Sequence, residues 1–112
     1  MDLMVEPVDD VTVVVLRGEH LDASNSGQFE TNIAPIIAAN RRVVLDMSYL
    51  TFVDSSGLGA ILGCLRRLGE MGGDLKLFGL SKSVKTVFQI TRMHRIFDIS
   101  DSRDQAVGAF QA

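Results

Sequence analysis

Residues 43–68 read VVLDMSYLTFVDSSGLGAILGCLRRL, and this stretch decides the fold. It opens with an apolar run at 43–45 that is typical of a buried strand. After a polar connection, apolar residues recur at the spacing of one helical face: Leu58, Ile61, Leu62, Leu65 and Leu68. Asp54 or Ser55 lies at the N-cap position, because a short side-chain oxygen can accept from the free N–H groups of the first turn. The stretch therefore predicts a strand followed by a helix that begins near Ser55.

The same stretch places serine hydroxyls at the N-terminal end of the predicted helix, in the segment Asp54-Ser55-Ser56-Gly57. Free backbone N–H groups and the helix dipole both favour negative charge there. The segment could therefore hold a bound anion, or a phosphate added to one serine. Spacing alone does not favour Ser55 over Ser56, and residues of these types are more often simple helix caps.

The rest of the chain alternates between predicted strands and helices. Strands are expected at 3–6, 11–17, 43–45, 74–78 and 97–99, and a loop at 18–22. One helix is expected to begin at Asn25, which forms a capping-box pattern with Gln28. Two more are expected to begin at Ser81 or Ser83 and at Asp101 or Ser102. Their predicted buried faces carry Phe29, Ile33, Ile36 and Ile37, then Val84, Val87, Phe88 and Thr91, and finally Ala106, Val107 and Phe110. Such alternation predicts an α/β sheet with right-handed crossovers.

A family resemblance sharpens this prediction. The segment FVDSSGLGAIL, with VVLDMS before it and GGDLKLFGLSKSVKTVFQITRMHRIFDI after it, resembles the STAS domains, and most of all the stand-alone anti-sigma factor antagonists of bacteria. The resemblance extends from about residue 11 to 110, and its specific part is DSSG. It implies a single STAS domain over 1–112. That domain is expected to have a small mixed β-sheet, about four helices packed mainly on one side, and the DSSG loop at one end.

The resemblance also implies a function, that of a non-enzymatic partner switch without a cofactor. The unphosphorylated form is expected to bind an anti-sigma factor that is also a serine kinase with a histidine-kinase-like ATP fold, and so to release a sigma factor. The kinase is expected to phosphorylate the first serine of the motif, Ser55, and a metal-dependent serine phosphatase to reverse this. The implied partner-binding residues are Asp22, Asp54, Ser55, Ser56, Gly57, Gly59 and Gly63.

Two glycines inside the predicted helix need an explanation, because Gly59 and Gly63 each cost about 1 kcal/mol relative to alanine. A flank of small residues lets another surface approach the helix backbone closely. One interpretation is a partner-docking groove beside Ser55. The other is close packing of this helix on the sheet of its own domain.

Other functions fit the sequence less well. The switch could control secretion or a second-messenger enzyme, or the domain could be a subunit of a lipid-transport ATPase, although Ser55 argues against the latter. A small hydrolase using Ser55 lacks an evident base and oxyanion motif, and GLGAILG at 57–63 lacks the third glycine of a dinucleotide fingerprint. In GEHLD, one extra residue departs from the usual family pattern, and His20 is expected to form a bulge.

The composition sets the remaining expectations. The chain has 112 residues, a formal net charge of −3, two histidines and one cysteine. This charge argues weakly against nucleic-acid binding, and so few histidines and cysteines offer little for a metal site. The sequence shows no signal-peptide pattern and no apolar run long enough to cross a bilayer. We therefore expect a cytoplasmic protein that does not contact the membrane and is monomeric when free. Cys64 is expected in the core.

Overall fold

The chain folds around a five-stranded mixed sheet, as a computed structural model over residues 1–110 describes it. The strands of this sheet are β1 (Asp2–Val8), β2 (Val11–Arg17), β4 (Arg42–Asp46), β6 (Asp74–Phe78) and β7 (Asp98–Ser100). Their order is β1-β2-β4-β6-β7, and only β1 runs antiparallel to its neighbour. Two short strands, β3 (His20–Leu21) and β5 (Phe52–Val53), pair in parallel outside this sheet.

Within residues 1–110, three helices connect these strands, namely α1 (Ser26–Ala39), α2 (Ser55–Glu70) and α3 (Lys82–Ile90), and α4 (Arg103–Gly108) follows β7. A short 3-10 helix covers Met93–Arg95. The larger core lies between one face of the sheet and α1, α2 and α3, whereas α4 covers a smaller core on the other face. The predicted mixed sheet with helices mainly on one side is thus confirmed. No helix within residues 1–110 is long and apolar enough to cross a bilayer.

Strand β2 explains why the two cores form. Its residues 11–16 are all buried, with Val14 and Leu16 in the larger core and Val13 and Val15 in the smaller one. Side chains of a strand alternate between the two faces of a sheet, so the apolar run at 13–16 requires cover on both faces. Strand β2 is accordingly covered on both faces.

Several local predictions were wrong for identifiable reasons. The first strand was expected at 3–6 but extends over Asp2–Val8 and includes Pro7, which an edge strand tolerates because one of its sides is unpaired. Residues 18–22 are not all loop, since His20 and Leu21 form β3.

Asn25 is the N-cap of α1, but its side chain makes no cap hydrogen bond, so the capping box does not form. Thr91 is exposed at the C-cap of α3. Helix α4 ends before Phe110, which packs against the smaller core.

Candidate functional site

The site lies where the β3–β5 pair meets the beginning of α2. His20 lies opposite Phe52, and Leu21 lies opposite Val53. Leu21 and Val53 are buried, so this pair is anchored in the core. The chain leaves β5 at residue 53 and enters α2 at Ser55, which leaves only Asp54 as the connection.

Asp54 holds this connection in place through both carboxylate oxygens. Its Oδ1 accepts from the backbone N–H of Gly57 at 2.9 Å, as an N-cap does. Its Oδ2 accepts from the backbone N–H of Ala23 at 3.1 Å, in the loop after β3. The sequence did not decide whether Asp54 or Ser55 is the N-cap of α2, and the structure identifies Asp54. One side chain therefore fixes both the beginning of α2 and the neighbouring loop.

Asp22 organises that loop from within. Its Oδ1 accepts from both the backbone N–H and the hydroxyl of Ser24, at 2.9 and 2.5 Å. The hydrogen bond from the Ser24 hydroxyl is the main reason that the pKa of Asp22 lies below its ordinary value. Asn25 supports the same turn, because its Oδ1 accepts from the backbone N–H of Asp22 and its Nδ2 donates to the His20 carbonyl. The loop thus presents an ionised carboxylate near the beginning of α2.

The two serines differ in accessibility. Ser55 is the first residue of α2 and is exposed, whereas Ser56 is half-buried. Ser55 therefore offers the hydroxyl that an approaching protein reaches more easily. This difference supports Ser55 as the modified residue, which stays a prediction.

Gly57 is tightly surrounded by other atoms, in contrast to Gly59. Gly57 is buried, and a Cβ built on it would lie 2.1 Å from the carbonyl oxygen of Leu21. Only glycine lets α2 begin this close to β3. We therefore assign Gly57 a packing role and leave it out of the proposed contact surface, although the sequence placed it among the partner-binding residues.

Gly59 and Gly63 face open space. A Cβ built on either one would have nothing within 4 Å, so close packing on the sheet does not explain these glycines. Both line a small cavity of about 60 Å³ between α1 and α2, together with Glu30 and Arg67. Of the two interpretations that the sequence left open, this geometry favours the groove.

Cys64 and His94 carry groups that enzymes use as nucleophiles and as bases. Cys64 is buried, and burial raises the pKa of its thiol to about 12, so the thiol stays protonated near neutral pH. His94 is exposed in the 3-10 helix, and its Nδ1 lies 3.3 Å from the Phe88 carbonyl oxygen. Within residues 1–110, no three His, Cys, Asp or Glu side chains come together as a metal site.

Comparison with known proteins identifies the family of this domain. Residues 2–106 match the model of the STAS domain. The chain belongs to the STAS family. A candidate anti-sigma factor antagonist, BtrV of Bordetella bronchiseptica, is 32% identical over 112 residues, which cover 99% of this chain and 96% of that protein. The anti-sigma-B factor antagonist of Bacillus subtilis is 30% identical, over 88% of this chain and 98% of that one.

A solved STAS structure gives the same result at the level of the fold. The anti-sigma factor antagonist SpoIIAA in its unphosphorylated form superposes with a TM-score of 0.72 at 25% identity, covering 99% of both chains. The same protein in its phosphorylated form gives a TM-score of 0.70, covering 97% of this chain and 99% of that one. SpoIIAA has thus been observed in two phosphorylation states of one STAS fold.

Proposed function

We propose that the chain is an anti-sigma factor antagonist that changes partners when Ser55 gains or loses a phosphate. The observation that carries the proposal is the exposed hydroxyl of Ser55 at the first residue of α2. Two lines of support come from relatives, namely the antagonists of Bordetella and Bacillus and the two phosphorylation states of SpoIIAA. The protein acts by binding and performs no chemistry of its own.

In the unphosphorylated state, the Ser55 end of the domain binds an anti-sigma factor and thereby releases a sigma factor. The contact surface comprises Asp22, Asp54, Ser55 and Ser56 on one side and the groove at Gly59 and Gly63 on the other. These residues belong to elements that are fixed to one another by the Asp54 hydrogen bonds. A surface that is already ordered loses little conformational entropy on binding, which favours affinity.

The anti-sigma factor is also the serine kinase that ends the interaction. To accept a phosphoryl group, the Ser55 hydroxyl must approach the terminal phosphate of bound ATP. After transfer, Ser55 carries about −1.5 to −2 charges and faces the remaining phosphates of the nucleotide. Like charges at short distance, and the cost of removing a dianion from water, then weaken the complex. A metal-dependent serine phosphatase restores the binding form.

The test begins with the identity of the partner. The tagged chain is purified from the organism that naturally produces it, and the protein bound to it is identified by mass spectrometry. Both proteins are then produced separately. We expect a stable complex in the absence of ATP, and its dissociation together with the addition of one phosphate when ATP and magnesium are supplied. A partner unrelated to anti-sigma factors, or a complex that ATP leaves intact and unmodified, would contradict the proposal.

A further inference from the structure

Two exposed aromatic side chains stand out near the site. The chain has six phenylalanines, one tyrosine and no tryptophan. Four of the phenylalanines are buried in the core: Phe29, Phe78, Phe88 and Phe97. In contrast, Tyr49 is 55% exposed and Phe52 is 53% exposed, although both belong to the segment that leads into Ser55. Large aromatic surfaces that remain in water are typical of the central residues of protein interfaces.

The backbone that carries these rings is firmly held. Leu50 is buried between them, and Val53 is buried directly after them. The backbone N–H groups of Thr51 and Phe52 both donate to the Glu19 carbonyl, at 2.8 and 3.2 Å. The Thr51 carbonyl in turn accepts from the Ser83 hydroxyl at 2.8 Å. The rings are therefore presented to solvent by a segment that is fixed on both sides.

Phe52 is also close to Ser55. Phe52 precedes Ser55 by three positions, so their Cα atoms are at most about 11 Å apart. A protein that covers Ser55 in an interface of ordinary size buries about 800 Å² on each side and would reach Phe52 as well. Tyr49 precedes Phe52 by three positions, so the same interface would reach it as well.

We infer that Tyr49 and Phe52 form an aromatic anchor that inserts into an apolar pocket of the anti-sigma factor. The inference rests on the proposed function and assigns residues to its interface that the sequence did not indicate. Three carboxylates and one ammonium group lie on the segments around the anchor, those of Glu19, Asp22, Asp54 and Lys82, so the net charge is negative. This negative charge opposes an anionic lipid surface and suits a protein pocket with a basic rim. The anchor contributes to binding, whereas Ser55 carries the switch.

The separation of these roles makes the inference testable by kinetics. Removal of an anchor ring leaves the acceptor hydroxyl and the beginning of α2 unchanged. The KM for phosphorylation by the anti-sigma kinase should then increase, because binding is weaker, while kcat stays within about twofold of the parent. A change that disturbs the position of Ser55 would instead decrease kcat.

The experiment compares Tyr49→Ala and Phe52→Ala with Ile90→Ala and Ile96→Ala. The two isoleucines are similarly apolar and exposed, at 76% and 53%, but lie on α3 and after the 3-10 helix. Affinity for the purified anti-sigma factor is measured by calorimetry, and KM and kcat by phosphate incorporation. We expect each aromatic variant to bind at least tenfold more weakly, with the matching rise in KM, and each isoleucine variant to bind like the parent. Phe52→Leu should recover part of the affinity. Such a recovery would show that the loss in Phe52→Ala comes from the missing apolar side chain and not from misfolding.

Several outcomes would overturn the inference. One is that both aromatic variants bind and react like the parent. The aromatic anchor would then be wrong, whereas the proposed function would still hold if the parent binds the anti-sigma factor. Another is an equal loss of affinity in the isoleucine variants. A third is that the parent binds vesicles of phosphatidylglycerol and phosphatidylethanolamine through Phe52 while affinity for the anti-sigma factor is unchanged. Failure of the parent to bind any anti-sigma factor would contradict the proposed function and this inference together.

Discussion

The carboxylate of Asp54 accepts a hydrogen bond from the backbone N–H of Ala23, a residue 31 positions earlier in the chain. The same carboxylate caps α2 through Gly57, so a single side chain ties two distant segments to the residue before Ser55. These two hydrogen bonds give the loop after β3 a defined position relative to α2, which the proposed docking surface requires. They also lead to the first of five predictions.

Asp54→Ala should decrease the free energy of unfolding by about 1–2 kcal/mol, because it removes both an N-cap and the link to the loop. Asp54→Asn should lose less, since an amide oxygen can still accept from Gly57. Urea denaturation with an unchanged m value measures the difference. Ser102→Ala is the matched control, because Ser102 caps α4 and makes only a local bond to Gln105. A loss for Asp54→Ala no larger than that of the control would mean that the bond to Ala23 contributes nothing.

Gly57→Ala and Gly59→Ala should have opposite effects on stability. At residue 57, the new Cβ would meet the Leu21 carbonyl oxygen at 2.1 Å, and a paired backbone cannot easily move away. We expect a loss of at least about 2 kcal/mol. At residue 59 the space is open, so alanine should gain about 0.5–1 kcal/mol from helix propensity. Thermal unfolding of the two variants checks this, and changes of the same sign would contradict the structural distinction.

Gly59→Arg and Gly63→Arg should each weaken binding of the anti-sigma factor without unfolding the domain. A long charged side chain would fill the groove, which the glycines leave open. Gly69→Arg is the matched control, since this residue lies in the same helix, also faces open space, and is near the opposite end from Ser55. If all three variants bind like the parent in a pull-down with the purified partner, the proposed groove is wrong.

Phosphorylation should distinguish the two serines. With the kinase and ATP, the parent should gain one phosphate, Ser55→Ala should gain none, and Ser56→Ala should retain part of the incorporation. The reason is accessibility, because Ser55 is exposed and Ser56 is half-buried at the beginning of α2. Peptide mass mapping locates the phosphate. A phosphate on Ser56, or elsewhere than in this segment, would refute the assignment.

The sequence predicted the elements that depend on local patterns. The apolar spacing from Leu58 to Leu68 predicted α2, and the valine-rich run predicted β2 with the bounds that the structure has. Strand β3 was missed, because two residues carry no periodic signal and pair only with a segment about 30 residues away. The side chain of Asn25 was expected to cap α1, whereas it bonds to the backbone of Asp22 and His20, because a side chain of this type can equally well bond to the turn before the helix.

The candidate site was predictable in its position but not in the roles of its residues. The DSSG motif located it, and the family resemblance supplied its function. Glycines, however, look alike in a sequence, and only the distance to Leu21 separates Gly57 from the open positions 59 and 63. The exposure of Phe52 was equally hidden, because Phe and Val next to each other do not reveal which one faces the core.

The last prediction concerns how the switch works, and Ser55→Asp probes it. Negative charge at residue 55 lies at the positive end of α2, where free N–H groups and the dipole stabilise it by about 0.3–1 kcal/mol. The Asp54 carboxylate next to it opposes this gain in part. The domain therefore has no reason to open, and Ser55→Asp should melt within a few degrees of the parent.

The partner experiences the same charge without that compensation. In the proposed complex, a carboxylate at residue 55 would be buried against the nucleotide-binding face of the kinase, where it meets like charge and loses its water at a cost of several kcal/mol. Ser55→Asp should therefore lose at least an order of magnitude in affinity, while Ser55→Ala should keep binding. Thermal melts and calorimetry on the parent and both variants measure the two effects separately. A large decrease in melting temperature for Ser55→Asp would show that the switch works by local unfolding. Undiminished affinity of both that variant and the phosphorylated protein would eliminate the switch, because charge at residue 55 would then not control binding.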